Sequence, residues 1–261
     1  MTLGYADDEP PAIDGASVSI PKEAVTALIG PNGSGKSTLL KGLSNQLAPE
    51  RGVVELDGRD VKTLGTKELA RKLGLLSQEN TSPRSLTVAD LAMHGRYPHR
   101  RPFESRTSED EAAVERALSL AGVEHLRERA VGSLSGGQKQ LAWIAMVLAQ
   151  DTDILLLDEP TTFLNLHHQL EMMGVVKRLN AEDGVTVLIV LHDVNQAARY
   201  ADHLLALADG TIHVRGSPEA VLSEELLADV FGINASVDHR DGTFQVILHR
   251  AVHDADGTAR R

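Results

Sequence analysis

The stretch GPNGSGKST at residues 30–38 constrains the fold of this 261-residue chain more than any other feature. Residues 30–37 match the pattern G-x-x-x-x-G-K-[ST], in which glycines let successive backbone N–H groups turn towards one anion. A chain of this length would match the pattern by chance on the order of 1 time in 100. The apolar run AVTALIG (24–30) predicts a buried strand before the loop, and KSTLLKGLSNQLAP (36–49) predicts a helix after it. Strand, glycine loop and helix together predict a phosphate-binding site.

Each residue type in this loop has a chemical reason to be there. The helix after the loop adds its positive N-terminal end to the anion site. The Lys36 ammonium can reach the β- and γ-phosphates of a nucleotide, and the Ser37 hydroxyl can ligate Mg²⁺. The alternative is an ordinary glycine-rich turn, which would not need the lysine. The residues predicted to bind the nucleotide here are Gly30, Pro31, Asn32, Gly33, Ser34, Gly35, Lys36, Ser37 and Thr38.

Further strand patterns alternate with helical patterns along the chain. Such alternation predicts an α/β fold with a mostly parallel sheet and helices on both faces. The last of these patterns is a predicted hairpin that turns at ADG (208–210). The predicted strand segments are 52–58, 73–78, 153–158, 185–192 and 203–216.

Residues 86–130 show helical patterns and no strand pattern, which predicts a helical insertion. The three predicted helices are TVADLAMHG, SEDEAAVERALSLAG and VEHLRERA. Arg96, Arg100 and Arg101 form a candidate basic interaction patch on this insertion. The alternative for these arginines is a solvated charged face.

Two acidic residues and a histidine end buried strand patterns. Ligands of such folds gather at the carboxyl ends of strands. Asp158 is therefore predicted to hold Mg²⁺, and Glu159 to act as the base or the orienter of an attacking water. His192 ends the next strand, where it could bind a γ-phosphate. The alternatives are solvated carboxylates and a polar strand end. The pair His167 and His168 is read as structural.

Composition excludes several classes of function. The net charge of −11 argues against broad nucleic-acid binding, which depends on cationic surface. The chain has no cysteine, which excludes disulfides and thiol catalysis. No apolar run reaches the ~20 residues of a bilayer span. We therefore expect a cytoplasmic chain whose membrane role, if it has one, depends on a partner.

The stretch LSGGQ (134–138) is a second candidate anion site. Ser135 is placed as an N-cap, and Gly136 and Gly137 let a ligand approach the backbone. By itself this pattern also fits a simple capped helix. Because the helical insertion separates it from Lys36, we predict that it serves the nucleotide of a second copy of the chain.

Taken together, GPNGSGKST, LSQ, LSGGQ, ILLLDEP and LHD occur in the order and at the spacing of ATP-binding cassette (ABC) transporter ATPases. The chain resembles that family over nearly its whole length. The resemblance implies a P-loop NTPase fold with a mostly parallel core sheet, an N-terminal antiparallel β portion and a helical subdomain. It also implies a single domain over 1–261, with the helical subdomain at about 84–150 and a C-terminal extension at about 217–261.

The resemblance also assigns roles to individual residues. Tyr5 is similar to the aromatic residue that stacks on adenine, and Gln78 to the glutamine that contacts Mg²⁺ or water. His192 is similar to the switch histidine, and Lys36, Glu159 and His192 form the implied catalytic set. The residues implied to close over the partner's nucleotide are Ser135, Gly136, Gly137 and Gln138. Those implied to bind Mg²⁺ are Ser37, Gln78 and Asp158.

The segments GRYPHRRPF and DEPTTFLNLHHQLE are most similar to the subgroup that imports iron–siderophores, with haem and cobalamin importers close by. The implied assembly is a homodimer on the cytoplasmic side of a membrane permease. ATP and Mg²⁺ are the implied cofactors, and a substrate-binding protein is an indirect partner. The rival functions are a soluble ABC ATPase and a non-hydrolysing module.

Two positions depart from the family pattern. Asn165 stands where the family usually has aspartate, so communication across the dimer could change. Glu23 stands where a glycine is usual, which predicts modest strain if the turn needs a positive φ.

Overall fold

The computed structural model of the chain describes residues 1–5, 10–78, 85–101, 105–162, 164–240 and 243–251. These residues form two compact units. The first unit comprises residues 1–58 and 188–261, and the second comprises residues 59–187.

The first unit contains three neighbouring strands. β1 (Val25–Ile29) is parallel to β7 (His203–Ala208), and β7 pairs antiparallel with β8 (Thr211–Gly216). β1 is buried along its whole length, because every side chain in VTALI is apolar or small. The β7–β8 hairpin turns at Asp209 and Gly210, both of which have positive φ. The turn predicted from ADG is therefore confirmed.

The described residues of this unit also form four α-helices and a second hairpin. The helices are α1 (Lys36–Leu43), α7 (Val194–Tyr200), α8 (Pro218–Val221) and α9 (Glu224–Phe231). The hairpin strands are β9 (Ile233–Arg240) and β10 (Thr243–Ala251).

Asn195 of α7 attaches this hairpin to the rest of the unit. Its amide nitrogen donates to the Val246 carbonyl at 3.1 Å, and its amide oxygen accepts from the Val246 N–H at 2.7 Å. One side chain thus satisfies both backbone groups of a strand residue.

The N-terminal β portion of the first unit is small. β2 covers Glu55–Leu56, and Thr2 and Leu3 form isolated antiparallel bridges with Arg51 and Ile13. The implied N-terminal antiparallel portion is thus present as single bridges.

The second unit contains a parallel strand pair and most of the helices. β4 (Leu73–Leu76) pairs parallel with β5 (Ile154–Asp158), in the register Leu73 opposite Ile154. β6 (Thr186–Val190) crosses the division between the units. The other elements of this unit are β3 (Arg59–Asp60), α2 (Thr66–Ala70), α3 (Val88–His94), α4 (Ser108–Leu120), α5 (Gly136–Ala149) and α6 (Leu166–Asp183). With their neighbouring helices, these strands confirm the α/β fold class with a mixed, mostly parallel sheet.

Helices α3, α4 and α5 pack against one another and form the helical part of the second unit. Thr107 caps α4 through a reciprocal capping box with Asp110, which agrees with the acidic first turn seen in the sequence. The prediction of a helix over VEHLRERA is wrong, because this segment forms one 3-10 turn at Glu124–Leu126. The carbonyls of Arg127 and Arg129 instead accept from the N–H groups at the start of α3. That contact satisfies donors which a helix start leaves without an internal partner.

None of the described helices combines the length and the apolar character that a bilayer span requires. The apolar core is built from aliphatic side chains, among which Leu28, Ile29, Leu118 and Ile144 are almost fully buried.

Candidate functional site

The loop between β1 and α1 has the geometry of an anion cradle. Gly30 has φ 153°, and a Cβ there would lie 2.1 Å from the Leu207 carbonyl oxygen. Gly35 has φ 98°, and a Cβ there would lie 2.6 Å from the Ala12 carbonyl oxygen. Both positions therefore require glycine. Gly35 is also the N-cap of α1 and makes no side-chain capping bond, so the helix start can receive an external anion.

Two polar side chains inside this loop fit a phosphate ligand. Lys36 is 6% exposed, and its ammonium donates to the Gly30 carbonyl at 3.0 Å and to the Pro31 carbonyl at 2.8 Å. The Ser34 hydroxyl is buried and has no hydrogen-bond partner among the described residues. A buried hydroxyl without a partner is costly. The loop thus holds a cation and an unsatisfied hydroxyl, which together suit phosphate oxygens.

Ser37 and Thr38 lie in the first turn of α1, and Tyr5 lies beside this helix. The Tyr5 hydroxyl is 3.2 Å from the Thr38 hydroxyl, and its ring lies under the Lys41 ammonium at 5.4 Å. Tyr5 is 61% exposed, so a face of its ring is open to a planar ligand. The structure therefore places Tyr5 beside the helix that follows the phosphate loop.

His192 follows β6 and lies at the same end of β1 as the glycine loop. The N–H of its neighbour Leu191 donates to the Leu28 carbonyl at 3.2 Å, two residues before Gly30. The His192 side chain is exposed. The sequence predicted a strand that runs to His192, whereas β6 ends at Val190 and His192 lies two residues beyond it.

In the second unit, the end of β5 carries the two acidic residues. Asp158 is 5% exposed, whereas Glu159 is half-buried. Glu159 Oε2 accepts from Gln78 Nε2 at 2.9 Å and from the Thr162 hydroxyl at 3.4 Å. The structure thus joins Gln78 and Glu159, which lie 81 residues apart in the chain. Thr162 is not among the residues predicted from the sequence, although a hydroxyl residue at a turn three residues after Glu159 is a typical side-chain hydrogen-bond donor.

The backbone of Glu159 is strained. Its φ is 51°, in the left-handed region, which costs an L-residue roughly 1–2 kcal/mol. Backbone strain of this kind concentrates at functional sites, where the surrounding structure maintains it. Asp151 in the same unit also has a positive φ, of 56°, but among these two residues Glu159 is the one at the end of β5 that accepts hydrogen bonds from Gln78 and Thr162.

The start of α5 is exposed and ordered. The Ser135 hydroxyl accepts from the Gln138 N–H at 3.3 Å, and Gln138 Oε1 accepts from the Ser135 N–H at 3.1 Å. The predicted N-cap is thus confirmed. A Cβ on Gly136 would meet no atom of the described residues within 4 Å, so the backbone there is open to another molecule.

The basic patch predicted around residue 96 is wrong for Arg96, which is 2% exposed. Its guanidinium donates to Asp110 at 3.0 Å and to the Ala149 carbonyl at 3.1 Å, and it joins α3, α4 and α5. Burial raises the pKa of Asp110, but hydrogen bonds from Thr107 and Arg96 outweigh burial and hold the pKa below its usual value. Arg96 is therefore part of the core.

The remainder of the patch is closer to the surface. Arg101 is exposed and Arg100 is half-buried, while Tyr97 beside them is 69% exposed. The Lys67 ammonium lies 4.8 Å from the centre of the Tyr97 ring and donates to the Arg100 carbonyl at 2.8 Å. Pro102 and Phe103 of the quoted segment lie outside the described residues.

His167 and His168 interact with Glu171 within the first turns of α6. His167 Nε2 lies 3.3 Å from Glu171 Oε1, and His168 Nδ1 lies 2.9 Å from Glu171 Oε2. Asn165 is the N-cap of α6, because its side-chain oxygen accepts from the His168 N–H at 3.0 Å. An amide at this position thus serves as a helix cap.

Comparison with known proteins decides the family. Residues 13–162, more than half of the chain, match the ABC transporter family. The chain belongs to the ABC transporter family. It is an ATP-binding subunit of that family, an ATPase coupled to transport.

Two curated relatives of this ABC protein are ATP-binding proteins of transport systems. It is 46% identical to the ferric enterobactin transport ATP-binding protein FepC of Escherichia coli, over 91% of this chain and 87% of that protein. It is 47% identical to the probable siderophore transport system ATP-binding protein YusV of Bacillus subtilis, over 91% of this chain and 86% of that protein.

A solved ABC cassette gives the structural comparison. The dimeric post-hydrolysis structure of the ATP-binding cassette MJ0796, bound to ADP and Pi, superposes with a TM-score of 0.73 at 27% identity. It covers 83% of this chain and 95% of that chain.

Proposed function

We propose that this ABC protein binds and hydrolyses Mg²⁺-ATP at a homodimer interface to power the import of iron(III)–siderophore complexes through a membrane permease. The main support for ATP hydrolysis is the position of the Glu159 carboxylate. Its carboxylate follows the buried Asp158, is held by Gln78 at 2.9 Å, and sits on a strained backbone. A carboxylate fixed in this way is prepared to orient a water and accept its proton.

The remaining residues divide the work of binding. Lys36 and the backbone N–H groups of residues 32–38 hold the phosphates, and Tyr5 stacks on the base. The buried Ser34 hydroxyl gains a phosphate oxygen as its partner, which supports the fit of a triphosphate to this loop.

Bound Mg²⁺ would draw charge from the β- and γ-phosphate oxygens as the terminal bond breaks. Ser37, Gln78 and Asp158 would hold it, because hydroxyl, amide and carboxylate oxygens are the ligands that Mg²⁺ prefers. His192 donates a hydrogen bond to the terminal phosphate, and Glu159 accepts the proton of the attacking water.

Two observations support the homodimer: the start of α5 is exposed, and the structurally similar MJ0796 cassette is dimeric. Gly136 presents open backbone, Gly137 follows it, and Ser135 and Gln138 form the capping box on either side of the two glycines. A helix start of this kind binds an anion, and the partner's γ-phosphate is the anion we assign to it. ATP is then bound between two chains and promotes their association by mass action.

Iron–siderophore import rests on the named relatives, two of which are a ferric enterobactin and a probable siderophore transport protein. A chain of this type would lie on the cytoplasmic face of the membrane, bound to the permease. A substrate-binding protein would deliver the siderophore to that permease from the other side.

Glu159→Gln tests the hydrolytic role. The amide keeps the shape of the carboxylate but cannot accept a proton, so we expect ATP binding to remain and turnover to fall by 10²-fold or more. ATP should then hold the variant as a dimer, measured by light scattering. Glu182→Gln, an exposed carboxylate at the end of α6, is the matched control and should behave like the unmodified chain. Turnover at the unmodified rate in Glu159→Gln would remove this residue from its role.

The substrate is tested in cells that lack this chain. Uptake of radiolabelled iron from a siderophore should be lost and should return with the intact gene, but not with Lys36→Ala. Normal siderophore uptake with loss of haem or cobalamin uptake would assign a different substrate.

A further inference from the structure

Two glutamine side chains hold the loop that follows β5. Gln140, in the second turn of α5, donates from Nε2 to the Pro160 carbonyl at 3.3 Å. Gln169 of α6 donates from Nε2 to the Leu164 carbonyl at 3.0 Å and to the Thr161 carbonyl at 3.5 Å. Carbonyls at both ends of the loop thus accept from helices on either side of it in sequence.

Pro160 is the residue directly after Glu159. The Pro160 carbonyl belongs to the next peptide group, and because the proline ring fixes φ, only the ψ angle of Pro160 separates that group from the Glu159–Pro160 peptide. Glu159 is the residue with φ 51°. A strained backbone returns to an ordinary conformation unless neighbouring contacts maintain it. The hydrogen bond that Gln140 of α5 donates to the Pro160 carbonyl is one such contact.

Gln140 lies two residues after Gln138, which forms the capping box at the start of α5. A helix is stiff over so short a distance, so the exposed helix start and the Gln140 amide move together. Within one chain, α5 therefore connects an exposed surface to the loop of Glu159.

We propose that Gln140 is a positioning residue for Glu159, which ties the start of α5 to the loop that carries the hydrolytic carboxylate. This inference rests on the role of Glu159 proposed above. In this role Gln140 makes no contact with the nucleotide. It fixes the backbone from which the carboxylate projects, so that association of α5 with a second chain acts on hydrolysis in its own chain.

Gln140→Leu and Gln140→Glu test the inference together. Leucine removes the donor at similar volume, and loss of one hydrogen bond predicts a three- to tenfold fall in kcat, with KM changed less than about twofold. Glutamate keeps the shape and polarity but directs an oxygen at the Pro160 carbonyl, so its kcat should fall further than that of leucine. A packing role predicts the opposite order, because glutamate is the closer shape match at this half-exposed position.

Gln46→Leu, at an exposed glutamine of the first unit, controls for the substitution itself and should leave kcat unchanged. In the Glu159→Gln background, Gln140→Leu should leave both the residual rate and the ATP-dependent dimer unchanged, because the carboxylate that it positions is already absent. A lower dimer yield in that background would assign Gln140 to association and overturn the inference.

The two proposals fail separately in these measurements. If Glu159→Gln itself turns over normally, the proposed function fails. If Glu159→Gln stalls while Gln140→Leu and Gln140→Glu both match the unmodified kcat, the inference about Gln140 fails alone.

Discussion

Replacing Arg96 with methionine tests how much a buried ion pair stabilises the helical part of the second unit. The Arg96 and Asp110 side chains are 2% and 4% exposed, and their hydrogen bond is 3.0 Å long. Methionine retains the apolar stem of arginine but leaves the Asp110 carboxylate buried beside a neutral group. It also removes the donor to the Ala149 carbonyl at the end of α5.

The expected loss follows from these contacts. Breaking a buried ion pair by removing one partner costs about 3–5 kcal/mol, because the remaining charge stays desolvated. Asp110 keeps its hydrogen bond from the Thr107 N–H at 3.1 Å, which places the value towards the lower end of that range. A loss of about 3 kcal/mol lowers the Tm of a chain of this size by roughly 6–12 °C.

The assay is urea unfolding followed by circular dichroism, with Arg106→Met as a matched control. Arg106 also donates to an aspartate at 3.0 Å, but that pair is 55% and 38% exposed, so its loss should cost at most about 1 kcal/mol. Adding Asp110→Asn to Arg96→Met removes the unpaired charge and should restore part of the stability. Equal free energies of unfolding for Arg96→Met and Arg106→Met would refute the prediction, because the buried ion pair would then contribute no more than the exposed one.

Three further predictions concern other residues. The pKa of Asp110 in the folded chain lies below the unfolded value of about 3.9, so Asp110 stabilises the chain above about pH 4 and loses that contribution as pH falls through the folded pKa. The urea concentration at the unfolding midpoint should therefore fall between pH 5 and pH 3, and it should fall less in Asp110→Asn. Glu23 has φ 53°, the positive value on which the expected backbone strain depends. Glu23→Gly should therefore raise the free energy of unfolding by about 0.5–1 kcal/mol, and a lower free energy of unfolding in this variant would show that Glu23 is not strained. Ser135→Arg should keep nucleotide binding by the single chain but abolish the ATP-dependent dimer in the Glu159→Gln background; a dimer of normal yield would exclude the cross-chain role.

Local chemistry explains what the sequence could predict. The glycine loop and its flanking strand and helix are contiguous, so the motif contains its own structural context. The Ser135 cap is equally local, because the acceptor and the donor lie three residues apart. The buried strands β1, β5 and β6 were predictable because continuous apolar runs have few other stable environments.

Contacts between distant segments explain the errors. VEHLRERA has a helical pattern, yet two of its carbonyls cap the start of α3. The pattern within the segment contains no information about this contact. Arg96 looked like surface because arginine is rarely buried without a partner, and its partner Asp110 lies on another helix. In both cases a tertiary contact overrode local preference.

The same distinction separates the candidate site into its predictable and unpredictable parts. Lys36, Asp158 and Glu159 could be proposed from the sequence because each residue type is needed for the chemistry that we propose for it. The contacts that fix Glu159 were not, because Gln78 lies 81 residues away and Gln140 reaches the loop from α5. Chemistry selects which side chains must be present, whereas long-range packing decides how firmly each is held. A substitution at Gln140 should therefore reveal a part of the site that its motifs do not contain.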